Sequence, residues 1–391
     1  MAGGSPRFSR AWSAFTGGAA TDAASQRLIG IQILRALAAL MVVYSHLMAR
    51  NVNRGFLTGN EWWNVDLGHF GVCIFFAISG YVMIHASART FASARKGPGV
   101  ALFLKRRIAR ICPLYYLTTV AAIAMAAAVH GEATGMGDIV RSFLFIPYLN
   151  ESSLYQPVYS LGWSLNYEMF FYLVMATALF LPRTPAILFV IAVIGALLAC
   201  GIALGSDPGA YGGSAAAYVF TRPEMFYFVA GVCAAALPLR SVERRIGALP
   251  WLALGGAAAG LALACAFQHV EWASALFSLV VVRAAAYHIA FARLWPHAAR
   301  LLSFLGDASY SLYLTHSFVL GPVSILVAKT TSEPVLGVVA SLVLGLAVAI
   351  VTASIVYLFI EKPLVNGATR LLQGRQRETA GTDAELQGKP A

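Results

Sequence analysis

Charge is what this sequence has least of. Asp, Glu, Lys and Arg make up 12% of its 391 residues, about half the share of a soluble domain. A hydrophobic content of 59% and a mean hydropathy of +0.71 exclude an ordinary soluble core. They point to a chain that crosses a membrane many times. Cysteine offers no scaffold either, because Cys73, Cys112, Cys200, Cys233 and Cys265 are scattered in or beside apolar stretches. Without a CxxC pair or a Cys/His cluster, neither a disulfide framework nor a metal site is supported. No internal repeat is visible, and no segment between apolar runs is long enough to fold as a second domain.

Acidic residues are scarcer than basic ones, leaving a net charge of +11. Such an excess can signal nucleic acid, but its placement supplies another reason. Segments of about 20 apolar residues, enough to span a bilayer, can be drawn ten times. They cover roughly 28–49, 68–86, 112–130, 159–181, 184–204, 215–237, 248–267, 271–291, 303–328 and 335–360. The connections and tails on one side hold 21 Lys and Arg, while the other side holds only Arg50, Arg54, Arg141 and Lys329. This asymmetry places the rich side, and both termini, in the cytoplasm, so no nucleic-acid partner is needed to explain it. The expected fold is therefore all-α, a polytopic membrane helical bundle of about ten transmembrane helices. Residues 1–27 read as a flexible cytoplasmic tail before an uncleaved signal-anchor, 28–363 as the membrane domain, and 364–391 as a disordered cytoplasmic tail.

Within this frame the polar residues inside spans carry the information. Arg35 and His46 lie in the first span. Eleven residues make about three helical turns, so they share one face about 16 Å apart along the axis. A bilayer-embedded arginine normally has a partner or a function, although Arg35 is near enough to the cytoplasmic end to snorkel. The imidazole of His46 suits general-base work and equally suits an interfacial position. Lys105, Arg106, Arg107 and Arg110 precede the third span. They serve as a positive-inside anchor, or, with Arg107 and Arg110 on one face, as a bidentate phosphate site. Pro113 marks a kink or a helix start. The Ser79-Gly80 pair in the second span fits close helix packing or close substrate approach.

In the fourth span Glu168 would lie about 13 Å deep, where a carboxylate calls for a function or a cationic partner. Trp163 beside it fits an interfacial belt or a substrate contact. Arg222-Pro223-Glu224 reads as a structural ion pair at a kink, and Arg283 as a deeper cation whose partner is Glu168 or Glu224. Tyr310, Ser311, Tyr313 and His316 open the ninth span. Dense hydroxyls can simply bond back to their own helix, yet Ser309, Tyr313 and His316 share a face. Glu361-Lys362-Pro363 reads as a helix stop at the membrane surface.

Taken in order, Arg35/His46, FFAISGYVM at 75–83, RIAR at 107–110, WSLNYE at 163–168, SYSLYLTH at 309–316 and EKP at 361–363 resemble the acyltransferase-3 family of integral-membrane acyltransferases. The similarity is greatest to its exopolysaccharide O-acetyltransferases. The resemblance implies transfer of an acyl group, commonly acetyl, from cytoplasmic acyl-CoA to a hydroxyl of a glycan or lipid-linked sugar. The polysaccharide biosynthesis machinery would be the surrounding partner. It implies that Arg35 and His46 are essential and that Arg107 and Arg110 lie near the donor. On this reading coenzyme A phosphates dock at Arg107 and Arg110, with Arg35 further in. His46 takes the proton of the acceptor hydroxyl, and Glu168 or another carboxylate holds the His46 tautomer. Trp163, Tyr310, Ser311, Tyr313 and His316 are the substrate-facing candidates, some as donors to the oxyanion. Alternatives are the same chemistry on a lipid, peptidoglycan or small molecule, a transporter or flippase, and a catalytically inert assembly partner. A transporter is disfavoured because no repeated half and no matched pair of broken spans is seen. With both termini cytoplasmic, a green fluorescent protein fused to Ala391 should fluoresce and alkaline phosphatase fused there should be inactive; the reverse would overturn this topology.

Overall fold

The computed structural model describes residues 23–58, 67–131, 133–150, 152–236 and 295–370. The expected seventh and eighth spans, with Arg283, lie outside the described residues. Among the described residues the regular elements are all helical. They are α1 (Ala23–Asn53), α2 (Leu67–Ala86), α3 (Ala88–Ala92), α4 (Lys96–His130), α5 (Met136–Phe143), α6 (Trp163–Ala178), α7 (Arg183–Leu204), α8 (Ala215–Phe220), α9 (Glu224–Ala236), α10 (Pro296–Asp307), α11 (Ser309–Thr330) and α12 (Pro334–Val356). Six helices among the described residues are long and apolar enough to cross a membrane: α1, α2, α4, α7, α11 and α12 with its extension.

Three expected spans differ, the ninth because it is divided at Ala308 into α10 and α11. The fourth forms a helix of 16 residues, α6, entered through a 3-10 turn at Ser160–Gly162. The sixth is divided into α8 and α9 at residues 221–223. Pro223 has no N–H to continue the ladder and disfavours helical geometry at Arg222. Arg222 then caps the break, donating to Tyr218 O at 3.2 Å, to Gly205 O at 3.0 Å and to the Tyr211 hydroxyl. Its guanidinium lies 4.4 Å from the Tyr218 ring centroid. The kink is there, but the expected Arg222–Glu224 ion pair is not among the ion pairs of the described residues.

The helix α1 packs against α2, α10, α11 and α12. Its buried positions include Ala36, Ala38, Ala39, Val42 and Val43, small enough for four neighbours to approach. Within a bilayer, close van der Waals packing replaces the hydrophobic drive. The α2–α9 crossing shows it plainly, since Gly80 lies on the Phe228 carbonyl and Gly231 on the Ala77 carbonyl. Close packing is thus the role of Gly80, as one reading of the second span expects. Gly306 likewise sits on the Gln32 carbonyl, which brings the end of α10 against α1.

Pro113 lies inside α4, a continuous helix of 35 residues, rather than at a helix start. At α12 the chain does not stop at Glu361. A π-helical turn spans Tyr357–Glu361, and helix continues through residue 370, past the expected start of the C-terminal tail. The segment after α4 is tied back to it by hydrogen bonds from Tyr115 Oη to Ser142 O at 3.3 Å and from Tyr116 Oη to Phe143 O at 2.9 Å. A Cβ at residue 231 would clash with backbone. Gly231→Ala should therefore destabilise the detergent-solubilised protein by about 1–3 kcal/mol, read as a lowered thermal unfolding midpoint.

Candidate functional site

Two polar clusters lie along α1. The first surrounds Arg35, which donates from Nη1 to Gln32 Oε1 at 3.2 Å. Gln32 in turn donates from Nε2 to Asp307 Oδ1 at 2.5 Å. The close contact at Gly306 is what places Asp307 beside Gln32. Arg110, Glu361 and Glu168 all lie within electrostatic range of Arg35. Three carboxylates from separate helices thus surround the arginine, and a second arginine shares them.

Arg110 Nη1 faces Glu361 Oε1 at 2.5 Å, and the Glu361 side chain is 1% exposed. Ser311 Oγ donates to Glu361 Oε2 at 2.5 Å. The contact with Arg110 is a charge pair without aligned hydrogen-bond geometry, since Oε1 has no hydrogen-bond donor. The Arg110 guanidinium also lies 5.8 Å from the centroid of Tyr310, whose hydroxyl donates to Ile111 O at 2.7 Å. The π turn brings Glu361 here, in keeping with the frequency of π-bulges at functional sites. Glu361 is therefore a buried network residue and not the surface helix stop expected from the sequence.

Arg107, one turn before Arg110, lies 5.9 Å from the ring centroids of both Phe103 and Tyr172. Its Nε is buried without a hydrogen-bond partner. Tyr172 donates its hydroxyl to Glu168 Oε1, and Ser79 Oγ donates to the same oxygen at 2.8 Å. The depth argument for Glu168 finds its partners here, in two hydroxyls with arginines nearby. The sequence reading gave Ser79 to helix packing or substrate approach, not to Glu168, and missed Tyr172, which lies one helical turn after Glu168.

The second cluster is built on His46 and His316, whose ring centroids are 4.9 Å apart in an edge-to-face arrangement. His46 Nδ1 donates to Val42 O at 2.9 Å and His316 Nδ1 to Leu312 O at 3.0 Å. A carbonyl only accepts, so each Nδ1 carries a proton, and in the neutral ring Nε2 is the nitrogen with the lone pair. The tautomer of His46 is held by its own helix, not by Glu168, which is engaged with Ser79 and Tyr172. Tyr313, 6.3 Å from His316 between ring centroids, joins Ser164 Oγ at 2.8 Å and Leu161 O at 3.0 Å.

The polar run of α11 is therefore divided by helical phase. Tyr310 and Ser311 serve the arginine cluster, Tyr313 the entry to α6, and His316 the His46 pair. Thr315 alone fits the bland reading, donating to Ser311 O at 2.7 Å. Trp163 is edge-on to Tyr167 at 5.9 Å. Besides Tyr172, sequence reasoning did not place Gln32, Asp307 or Glu361 in the site. Only the EKP stretch gave any signal for one of them. Among the described residues no group of His, Cys, Asp and Glu could hold a metal ion.

The acyltransferase-domain family matches residues 28–354 of this chain, which takes in both clusters except Glu361. The chain is similar to the exopolysaccharide production protein ExoZ of Rhizobium meliloti (strain 1021), with 31% identity over 325 residues, 81% of this chain and 93% of that protein. No solved structure gives a significant match.

Removing one partner of a buried ion pair leaves the other charge uncompensated and costs about 3–5 kcal/mol when both are buried. Arg110 retains 30% exposure, so Glu361→Gln should cost less, about 2 kcal/mol, in thermal unfolding of the detergent-solubilised protein. Arg110→Gln combined with Glu361→Gln should cost clearly less than the two single changes added.

Proposed function

The chain belongs to the acyltransferase-3 family of integral-membrane acyltransferases, and we propose that it moves an acyl group, commonly acetyl, from cytoplasmic acyl-CoA to a glycan hydroxyl. The acceptor is an exopolysaccharide or its lipid-linked precursor, a reading supported by the similarity to a protein named for exopolysaccharide production. The observation that carries the mechanism is the arrangement along α1. A histidine with a free Nε2 sits about 16 Å along the helix from a cluster of arginines.

The donor end fits a phosphorylated cofactor-like substrate. Arg107 makes no ion pair among the described residues, and Arg110, paired with Glu361 and set beside the Tyr310 ring, keeps part of its side chain exposed. Guanidinium donors left over from these contacts suit phosphate oxygens, which arginine binds bidentately. Arg35 lies deeper along the same path, where it favours negative charge entering the bundle.

At the other end His46 acts as general base. The acceptor hydroxyl oxygen bonds to the thioester carbonyl carbon while its proton passes to His46 Nε2. The carbon–sulfur bond breaks, and the departing sulfur recovers the proton from His46 as the free thiol. Val42 O keeps Nδ1 protonated throughout, so Nε2 stays the reacting atom.

Expression with the host's surface glycan, followed by NMR of its O-acyl groups, tests this directly. His46→Ala should reduce O-acylation at least about a hundredfold, the lower range for loss of a general base. Unchanged acylation by a well-inserted His46→Ala protein would overturn the mechanism.

A further inference from the structure

The end of α1 away from the arginine cluster carries a cation that the proposed reaction does not use. Arg50 is four residues beyond His46, so both side chains leave α1 on one face. The Arg50 side chain is half-buried. Arginines near helix ends commonly extend outward to water. This one turns against α11, where Nη2 donates to Ser317 O at 3.4 Å. Gly321, one turn further along α11, leaves open backbone beside it, since a Cβ there would stand 3.5 Å from Nη1.

That single long hydrogen bond uses one of the five donors of a guanidinium. The ion pairs of the described residues are Arg110–Glu361 and Arg141–Asp138, so no described carboxylate neutralises Arg50. Arg50 stands just beyond the first span, half-buried and without a described counter-charge, which leaves it able to bind an oxyanion.

A second observation points the same way. His316 is 0% exposed, and its Nε2 is buried with no hydrogen-bond partner. A buried polar atom without a partner is costly, and a ligand hydroxyl would relieve it. The His316 ring adjoins His46 and lies within electrostatic range of Arg50. An underused cation and an unpartnered imidazole nitrogen therefore flank the histidine assigned to the acceptor.

We infer that this end of α1 is an oxyanion subsite for the acceptor. Arg50 binds a carboxylate or phosphate oxygen of the acceptor, and His316 Nε2 accepts a hydrogen bond from one of its hydroxyls. The inference rests on the acyl transfer proposed at His46. The oxyanion has two possible sources, a carboxylate on the sugar or the diphosphate that joins a glycan to a polyprenyl carrier.

The test uses the full chain in nanodiscs with acetyl-CoA and two matched pairs of acceptors. Methyl glucuronide is compared with methyl glucoside, and polyprenyl-diphosphate glucose with a neutral polyprenyl glucoside. In one pair kcat/KM should favour the anionic member by about tenfold or more, the scale of a charge-assisted hydrogen bond. The favoured pair identifies the source of the oxyanion. Arg50→Gln should bring that ratio close to one, and Arg50→Lys should retain part of it. A ratio is independent of how much of each variant folds. Equal rates within both pairs, or a ratio untouched by Arg50→Gln, would overturn the inference and leave acyl transfer standing. No transfer to any of these acceptors or to the host glycan would overturn both.

Discussion

An arginine within a membrane bundle must find negative charge, and the arrangement of helices follows from that need. Arg35 cannot be left unpaired in a low-dielectric interior. It reaches Asp307 through Gln32, with Glu361 and Glu168 in range. These carboxylates come from α10, from the turn after α12 and from α6. Satisfying one side chain on α1 therefore requires three other segments to converge on it. Arg110 binds α4 into the same group through Glu361. Apolar faces in lipid can slide against one another at little cost, because lipid tails are as apolar as the faces themselves. Charges that must meet within a few ångströms cannot.

Backbone proximity makes this convergence possible. Glycines at the crossings let α10 touch α1 and α9 touch α2, and the π turn after α12 presents Glu361 inward. The hydroxyls of α11 then complete the carboxylate shell at Ser311 and reach the opposite cluster through His316. One helix thus contributes to both ends of the proposed path. Its parallel course beside α1 puts His316 against His46 and Ser317 against Arg50.

Much of the site was legible because polar residues within spans are few and each is costly. Arg35, His46 and Glu168 stand out for that reason, Arg107 and Arg110 by sharing a helical face beside a span, and helical spacing puts Arg35 and His46 on one face. The errors have identifiable causes. Arg222 and Glu224 looked like an ion pair because they are adjacent in sequence, yet residues two apart do not face each other on a helix. Glu361 looked like a surface residue because Lys362 and Pro363 follow it, a pattern common at helix ends. Glu168 was expected to orient His46, but a carbonyl one turn earlier on α1 already does so. Gln32 and Asp307 carried no signal, since their partnership spans 275 positions.

The sequence by itself determined that the chain is a helical membrane protein, and which side chains are too expensive to lie in its spans without purpose. Hydropathy, spacing and charge are properties of a local stretch, and they act without reference to the rest of the chain. Tertiary structure alone decided which carboxylate meets which arginine, that two histidines from distant spans adjoin, and that Arg222 turns to Gly205 and Tyr211 instead of Glu224. Those outcomes depend on how near two backbones can come and on which donors are left unsatisfied when they do. Each is a relation between segments, fixed only when the helices pack.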